Sequence, residues 1–209
     1  DYSLGAFADD LAAWAKRLGG RPSVHRTAVV GHSMGGIVAL ALAERGEVDL
    51  RALVVAETPL RVGEEIAGEL RELGRRPSRP YKSREEFIAH FRLWPPAPKA
   101  EPALIRHVAA HSARRSPEGH YRLKADKHYY RTREVLDTRA GWRGARCPCL
   151  LVRGSESDRL PDDQVREIRS LCPQVEVATL EGAHHHLFLE QPEEFVEVLR
   201  RFFEGLPPP

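Results

Sequence analysis

The chain has 209 residues, 42% of them apolar and 30% charged, with a net charge of +2 from 32 basic and 30 acidic side chains. That length suits one sizeable domain with an ordinary core, and so even a charge balance supplies no long-range field of the kind that nucleic-acid binding needs. The longest apolar run, residues 37–43, is far too short to cross a bilayer.

No charged-then-apolar segment with a small-residue cleavage site opens the chain, and three cysteines make no disulfide framework at this length. These features predict a cytoplasmic protein in a reducing compartment, with neither a membrane nor a nucleic-acid partner. The chain opens on Asp1 without an initiator Met, which leaves room for a segment upstream. The arginines of residues 71–92 are interleaved with Glu72, Glu85 and Glu86, and with Glu69 just before them; they read as solvated helix faces.

In chain order, residues 7–18 (FADDLAAWAKRL) carry apolar side chains at helical spacing and stop at Gly19-Gly20. Residues 27–30 (TAVV) are a β-branched run that ends at Gly31, and after GHSMGG the run IVALALAER reads as a buried helix. Residues 51–56 (RALVVA) predict a second strand, 149–153 (CLLVR) a third and 175–180 (VEVATL) a fourth, with helices at 163–171 and 192–203. Cys147 and Cys149 flank Pro148 at the third strand's entrance, where small buried residues fit. Strands alternating with helices predict an α/β fold with a mostly parallel sheet covered on both faces.

Residues 59–144 break this rhythm. They hold helical patterns at 64–73, 83–91 and 102–112, a proline cluster at 95–98 and no clear strand. The expected organisation is a core segment at 1–58, a helical insertion at 59–144, a second core segment at 145–206 and a tail at 207–209.

Gly31-His32-Ser33-Met34-Gly35 matches G-x-S-x-G between a strand and a helix. A serine on so sharp a turn is forced into a strained backbone, and bulky residues two positions before and after it would clash. The turn exposes the hydroxyl at the strand's carboxyl end and aims the helix N-terminus at a developing oxyanion. Ser33 is therefore the candidate nucleophile and the Met34 N–H the candidate oxyanion donor. His32, adjacent to the serine rather than facing it, reads as a turn residue, and Gly36 as a second small residue for helix-to-sheet packing.

The third strand runs into Gly154-Ser155-Glu156-Ser157-Asp158-Arg159-Leu160-Pro161, a loop of the kind where sites gather in parallel sheets. Asp158 is the first choice for the acid that orients a catalytic histidine. Its bland alternative is a turn aspartate or helix cap. Glu156 and, more distantly, Glu57 compete with it. The fourth strand leads to His184-His185-His186, any of which could approach the serine across the sheet. Neighbouring side chains diverge, so this tract does not read as a metal site.

GHSMGG, RGSESDRLP and GAHHHLFLEQPEEF together resemble the three signature segments of the α/β-hydrolase superfamily, in its branch of small esterases and C–C bond hydrolases, from about Tyr2 to Phe203. In that family the histidine precedes a glutamate, often within E-Q-P, by five residues; Glu190-Gln191-Pro192 then selects His185. The same resemblance places the acid on Asp158 and reads residues 59–144 as a helical cap over the substrate pocket. Its aromatics Phe87, Phe91, Trp94, Tyr121, Tyr129 and Tyr130 could line that pocket, although such residues more often pack the cap.

The chain departs from the family in that only one helix precedes the nucleophile turn. The earlier strands and the loop that supplies a second oxyanion N–H are not in the sequence. Residues 27–30 then become an edge strand, which predicts a fragment or half of an assembly; full esterase turnover by a soluble monomer of these 209 residues would refute that expectation. The function expected is hydrolysis of a small or medium carboxylic ester through an acyl-enzyme, with no cofactor or metal required. C–C, amide or lactone hydrolysis or acyl transfer on the same residues, and a non-catalytic binding protein that keeps the fold, stand as alternatives.

Overall fold

The computed structural model describes residues 1–19 and 27–208; Gly20 of the expected helix stop and Pro209 of the expected tail lie outside the described residues. The chain opens with α1 (Leu4–Gly19), whose Ala8, Ala12 and Ala15 form one buried stripe at helical spacing. β1 (Thr27–His32), α2 (Met34–Arg45) and β2 (Leu50–Ala56) follow as strand, helix and strand. α2 is buried from Gly36 to Ala43 except at the half-buried Ala41, and it ends at Gly46, whose φ of 62° is the left-handed conformation that closes many helices.

After β2 come β3 (Arg61–Val62), α3 (Glu64–Arg75), α4 (Arg84–His90), α5 (Pro102–Ser112), β4 (Ala113–Arg115), β5 (Tyr121–Leu123), α6 (His128–Arg131), β6 (Leu136–Asp137) and α7 (Arg139–Gly144). β7 (Cys149–Gly154), α8 (Asp162–Leu171), β8 (Val175–Leu180), α9 (Leu187–Glu190) and α10 (Pro192–Glu204) complete the chain.

Among the described residues the central sheet has the order β1-β2-β7-β8 and is parallel throughout. β2 lies inside it and is almost wholly buried, which is why its residues 52–56 are an unbroken apolar run rather than an alternating one. Its side chains still alternate between faces. Leu53 and Val55 pack with Leu40, Leu42, Trp142 and Ile168 on one side, whereas Ala52, Val54 and Ala56 pack with Leu187 and Phe202 on the other. β1 is an edge, and its Val30 is 46% exposed. No helix among the described residues is long and apolar enough to cross a membrane.

Between β2 and β7 the chain carries the helices α3 to α7, of which α3, α4 and α5 fall where the sequence shows helical patterns. It also contains two antiparallel pairs, β3 with β6 and β4 with β5, which the sequence reading lacks. Strands of two or three residues carry no periodicity to read. α7 lies within the stretch expected as an insertion but packs on α2, with Trp142 in the core; a methyl group on its Gly141 would meet the Leu40 side chain at 2.7 Å.

Candidate active site

The carboxyl ends of β1, β2 and β7 and the loop after β8 converge on one place. Ser33 stands between β1 and α2 with φ 52° and ψ −118°, a conformation costly for a side-chain-bearing residue. Hydrogen bonds at both its N–H and its carbonyl hold it there, the one from the Ile37 N–H at 3.2 Å among them. Its N–H donates to the Ala56 carbonyl at 2.9 Å, and its own carbonyl accepts the Gly36 N–H at 3.0 Å and the Thr58 hydroxyl at 3.1 Å.

The glycines around the serine do different jobs. A methyl group on Gly31 would meet the Gly35 carbonyl oxygen at 2.5 Å, and one on Gly36 would meet Thr58 Oγ1 at 2.0 Å. One on Gly35 would meet nothing within 4 Å. The clash expected two residues after the serine is therefore absent, and Gly36 is the closely packed position. Met34 opens α2 and carries one of the N–H groups that a helix start leaves without an intrahelical partner.

Of the three adjacent histidines, His185 alone meets the serine: its Nε2 lies 3.1 Å from Ser33 Oγ. His184 turns to Glu190, whose buried carboxylate accepts both its backbone N–H at 2.7 Å and its ring at 3.1 Å. His186 donates from Nε2 to the Pro95 carbonyl at 2.9 Å. The glutamate of E-Q-P thus sets the loop's register by tying down the residue just before His185.

The other ring nitrogen of His185 faces Glu57, with Nδ1 3.4 Å from Oε2. Glu57 is fully buried and has φ 46°, the second strained non-glycine residue of the rim. It follows β2 directly, and its N–H donates to the Val152 carbonyl at 2.8 Å. The Gly154 N–H donates to its Oε1 at 2.7 Å and the Ser157 hydroxyl to its Oε2 at 2.5 Å. A buried carboxylate is stable only with such donors around it.

Asp158, the acid expected from the sequence, is not at the ring. Its side chain is 89% exposed and its ion pair is with Arg159, at 3.4 Å. Glu156 is exposed as well. The physical reason is sheet order: β2 pairs directly with β1, so its first residue past the strand is one strand away from Ser33. The loop after β7 reaches in only as far as Gly154 and Ser157 before its tip turns to water. The one signal of this in the sequence is the lone carboxylate that ends the apolar run RALVVA.

His32 also does more than occupy a turn. Its Nε2–H donates to the His185 carbonyl at 2.8 Å, and the two rings lie 4.8 Å apart. Burial, and then the nearby His185, push its pKa down to about 4, so the ring is neutral near pH 7. His186 is lowered in the same way, by burial first and then by His185.

Beside Ser33 and His185 lies a cavity of about 320 Å³. Ile37, Val62, Ile66 and Leu70 line it with Trp94, Tyr129 and Tyr130, together with Arg133, Glu134 and Arg159. Three of the six candidate aromatics thus reach it. Phe87 and Phe91 pack against each other instead, and Tyr121 pairs its backbone with Tyr81. A hydroxyl bonded to an imidazole whose far nitrogen faces a buried carboxylate is an arrangement in which the ring can take the hydroxyl proton, with the carboxylate steadying the cation formed.

Residues 1–198 match a family model described as the alpha/beta hydrolase family. The curated proteins yield no sequence match. Among solved structures, the chain is similar to E-2-(acetamidomethylene)succinate hydrolase, with a TM-score of 0.82 and 22% identity over 98% of this chain and 75% of that one. It is similar also to a marine microorganism esterase (TM-score 0.70, 21% identity, 97% and 78% covered). An esterase from Mycobacterium tuberculosis is a third such structure (TM-score 0.72, 22% identity, 98% and 69% covered). At these identities the likeness is one of fold.

Proposed function

The chain belongs to the alpha/beta hydrolase family of enzymes, and from that premise we propose that it is a serine hydrolase that cleaves small carboxylic esters through an acyl-enzyme. The observation that carries this reading is the alignment of Ser33 Oγ, His185 and Glu57, with 3.1 Å on one side of the ring and 3.4 Å on the other. With a carboxylate facing Nδ1, the neutral ring keeps its proton there and offers Nε2 as the acceptor for the serine hydroxyl.

Ser33 Oγ then attacks the substrate carbonyl while its proton passes to His185 Nε2. Glu57 stabilises the imidazolium, and the Met34 N–H faces the oxyanion. Collapse of the tetrahedral intermediate expels the alcohol, which takes the proton from Nε2. Water attacks the ester on Ser33 by the same route in reverse, giving the free acid and the original serine. A distance of 3.4 Å is long for a hydrogen bond to a carboxylate, as such contacts often are before substrate tightens the site.

Labelling with a fluorophosphonate probe tests the reading. The chain is expected to label and to hydrolyse 4-nitrophenyl butyrate, and Ser33→Ala to lose both, with kcat lower by about 10³-fold or more. A folded chain that neither labels nor turns over the ester removes the proposal.

A further inference from the structure

The cavity holds a buried cation that the reaction above does not use. Arg133 is 6% exposed and lines the same cavity as Ser33 and His185. Its guanidinium lies over the Tyr129 ring, 4.0 Å from the centroid. Nε–H donates to the Tyr129 carbonyl at 3.0 Å, Nη2 to the Tyr2 carbonyl at 2.9 Å and Nη1 to Met34 Sδ at 3.3 Å. Two carbonyls and a weakly accepting thioether engage three of its five N–H groups, and no carboxylate pairs with it among the described residues.

An ion removed from water without a counter-ion is costly. Two other features of the cavity bear on what would neutralise it. Arg159 lines the cavity too, 5.1 Å over Trp94, and among the described residues its ion pair is with the exposed Asp158. Glu134 is the one carboxylate in the lining among the described residues, and it stands exposed to water, with no ion pair to the guanidinium. Arginine with its planar fork suits a carboxylate, which it can bind through two parallel N–H bonds.

We infer that the substrate is anionic: a half-ester of a short dicarboxylic acid, whose free carboxylate binds Arg133 while Ser33 attacks the ester at its other end. The inference rests on the hydrolytic reading of Ser33 and His185 and adds the substrate class to it.

Two esters of equal acyl length separate the possibilities, 4-nitrophenyl hydrogen glutarate and 4-nitrophenyl valerate. The purified chain is expected to favour the glutarate by about tenfold or more in kcat/KM, mainly through KM, and to keep most of that preference as salt rises, because a buried pair is little screened. Arg133→Gln is expected to abolish the preference, and Arg133→Lys, which keeps the charge without the fork, to restore part of it. Equal rates for the two esters in the unaltered chain overturn the inference and leave the hydrolase standing. So does a Gln variant that slows both esters alike, since that is what a merely structural tie to Tyr2 would do. Thermal stabilisation by glutarate dianion gives a readout that needs no turnover. Stabilisation of the unaltered chain and of Ser33→Ala, absent in Arg133→Gln, with no hydrolysis of either ester, supports the anion site and defeats the hydrolytic reading. Should Arg133→Gln not fold, the Lys variant and the retention of the preference in salt decide.

Discussion

Two carboxylates follow two strands of the same sheet, and the sheet treats them in opposite ways. Glu57, directly after β2, is fully buried, strained at φ 46° and held by the Gly154 N–H and the Ser157 hydroxyl. Asp158, four residues after β7, is 89% exposed beside Arg159. Depth at the rim, and not position in a loop of the right kind, decides which carboxylate meets the imidazole. A strand in the middle of the sheet delivers its next residue into the dry interior, whereas a longer loop returns its tip to solvent.

Replacing Glu57 tests the dry side most severely. In Glu57→Gln the amide can donate to His185 Nδ1, which favours the tautomer that no longer accepts the serine proton at Nε2. We expect kcat for a neutral ester to fall by about 10³–10⁴-fold with the fold retained, measured beside the rate of fluorophosphonate labelling. A fall of less than tenfold would mean that another carboxylate does the orienting.

The dryness itself has a pH signature at His32. Its pKa lies below the ordinary value, at about 4, because it is buried and then because of His185. Between that value and the ordinary histidine range the unfolded chain binds the proton and the folded chain does not, so stability falls as the pH drops through this window. His186, also lowered, acts in the same direction. Urea unfolding is expected to show that His32→Gln removes about 2 kcal/mol of the stability lost between about pH 8 and about pH 5, while the amide keeps a donor for the His185 carbonyl. An unchanged pH dependence would place His32 in water.

Ser157 lies in the wet loop but reaches the dry side, and so links the two regions. Its hydroxyl shares Glu57 Oε2 with His185, so it positions the carboxylate rather than taking part in the chemistry. Ser157→Ala is expected to lower kcat by about tenfold, the size of one hydrogen bond to a charged group. Added to Glu57→Gln it should lower kcat by less than about twofold more, because coupled residues do not act additively. Independent effects of the two changes would give Ser157 a separate structural role.

What the sequence makes legible follows the same division. Ser33 is readable because its constraint is local: Gly31 must pass the Gly35 carbonyl, and Gly36 must pass Thr58. His185 is readable once Glu190 is recognised as the anchor of its loop, at the His184 N–H. The continuous apolar run at residues 52–56 of β2 announces a strand inside the sheet. Choosing among Glu57, Glu156 and Asp158 requires strand order, which no local pattern encodes, because β1 and β2 become neighbours only through the crossover of α2. The pairing of β3 with β6 joins residues 74 and 76 positions apart through strands of two residues, and it escapes a reading by periodicity for the same reason.

The smallest expected effect belongs to Asp158, and it completes the comparison. An aspartate so exposed interacts through water, and its ion pair with Arg159 has little to contribute. Asp158→Asn should therefore leave kcat/KM for a neutral ester within about twofold of the unaltered chain, at every pH where His185 functions. A loss of hundredfold or more would show that the loop after β7 folds inward when substrate binds and that Asp158 then displaces Glu57 from the imidazole. An anionic ester sharpens the same measurement. Arg159 lines the cavity, and Asp158 is the carboxylate beside it. Removing that carboxylate leaves the arginine more positive toward substrate, so the preference for 4-nitrophenyl hydrogen glutarate should rise in this variant while it falls in Arg133→Gln.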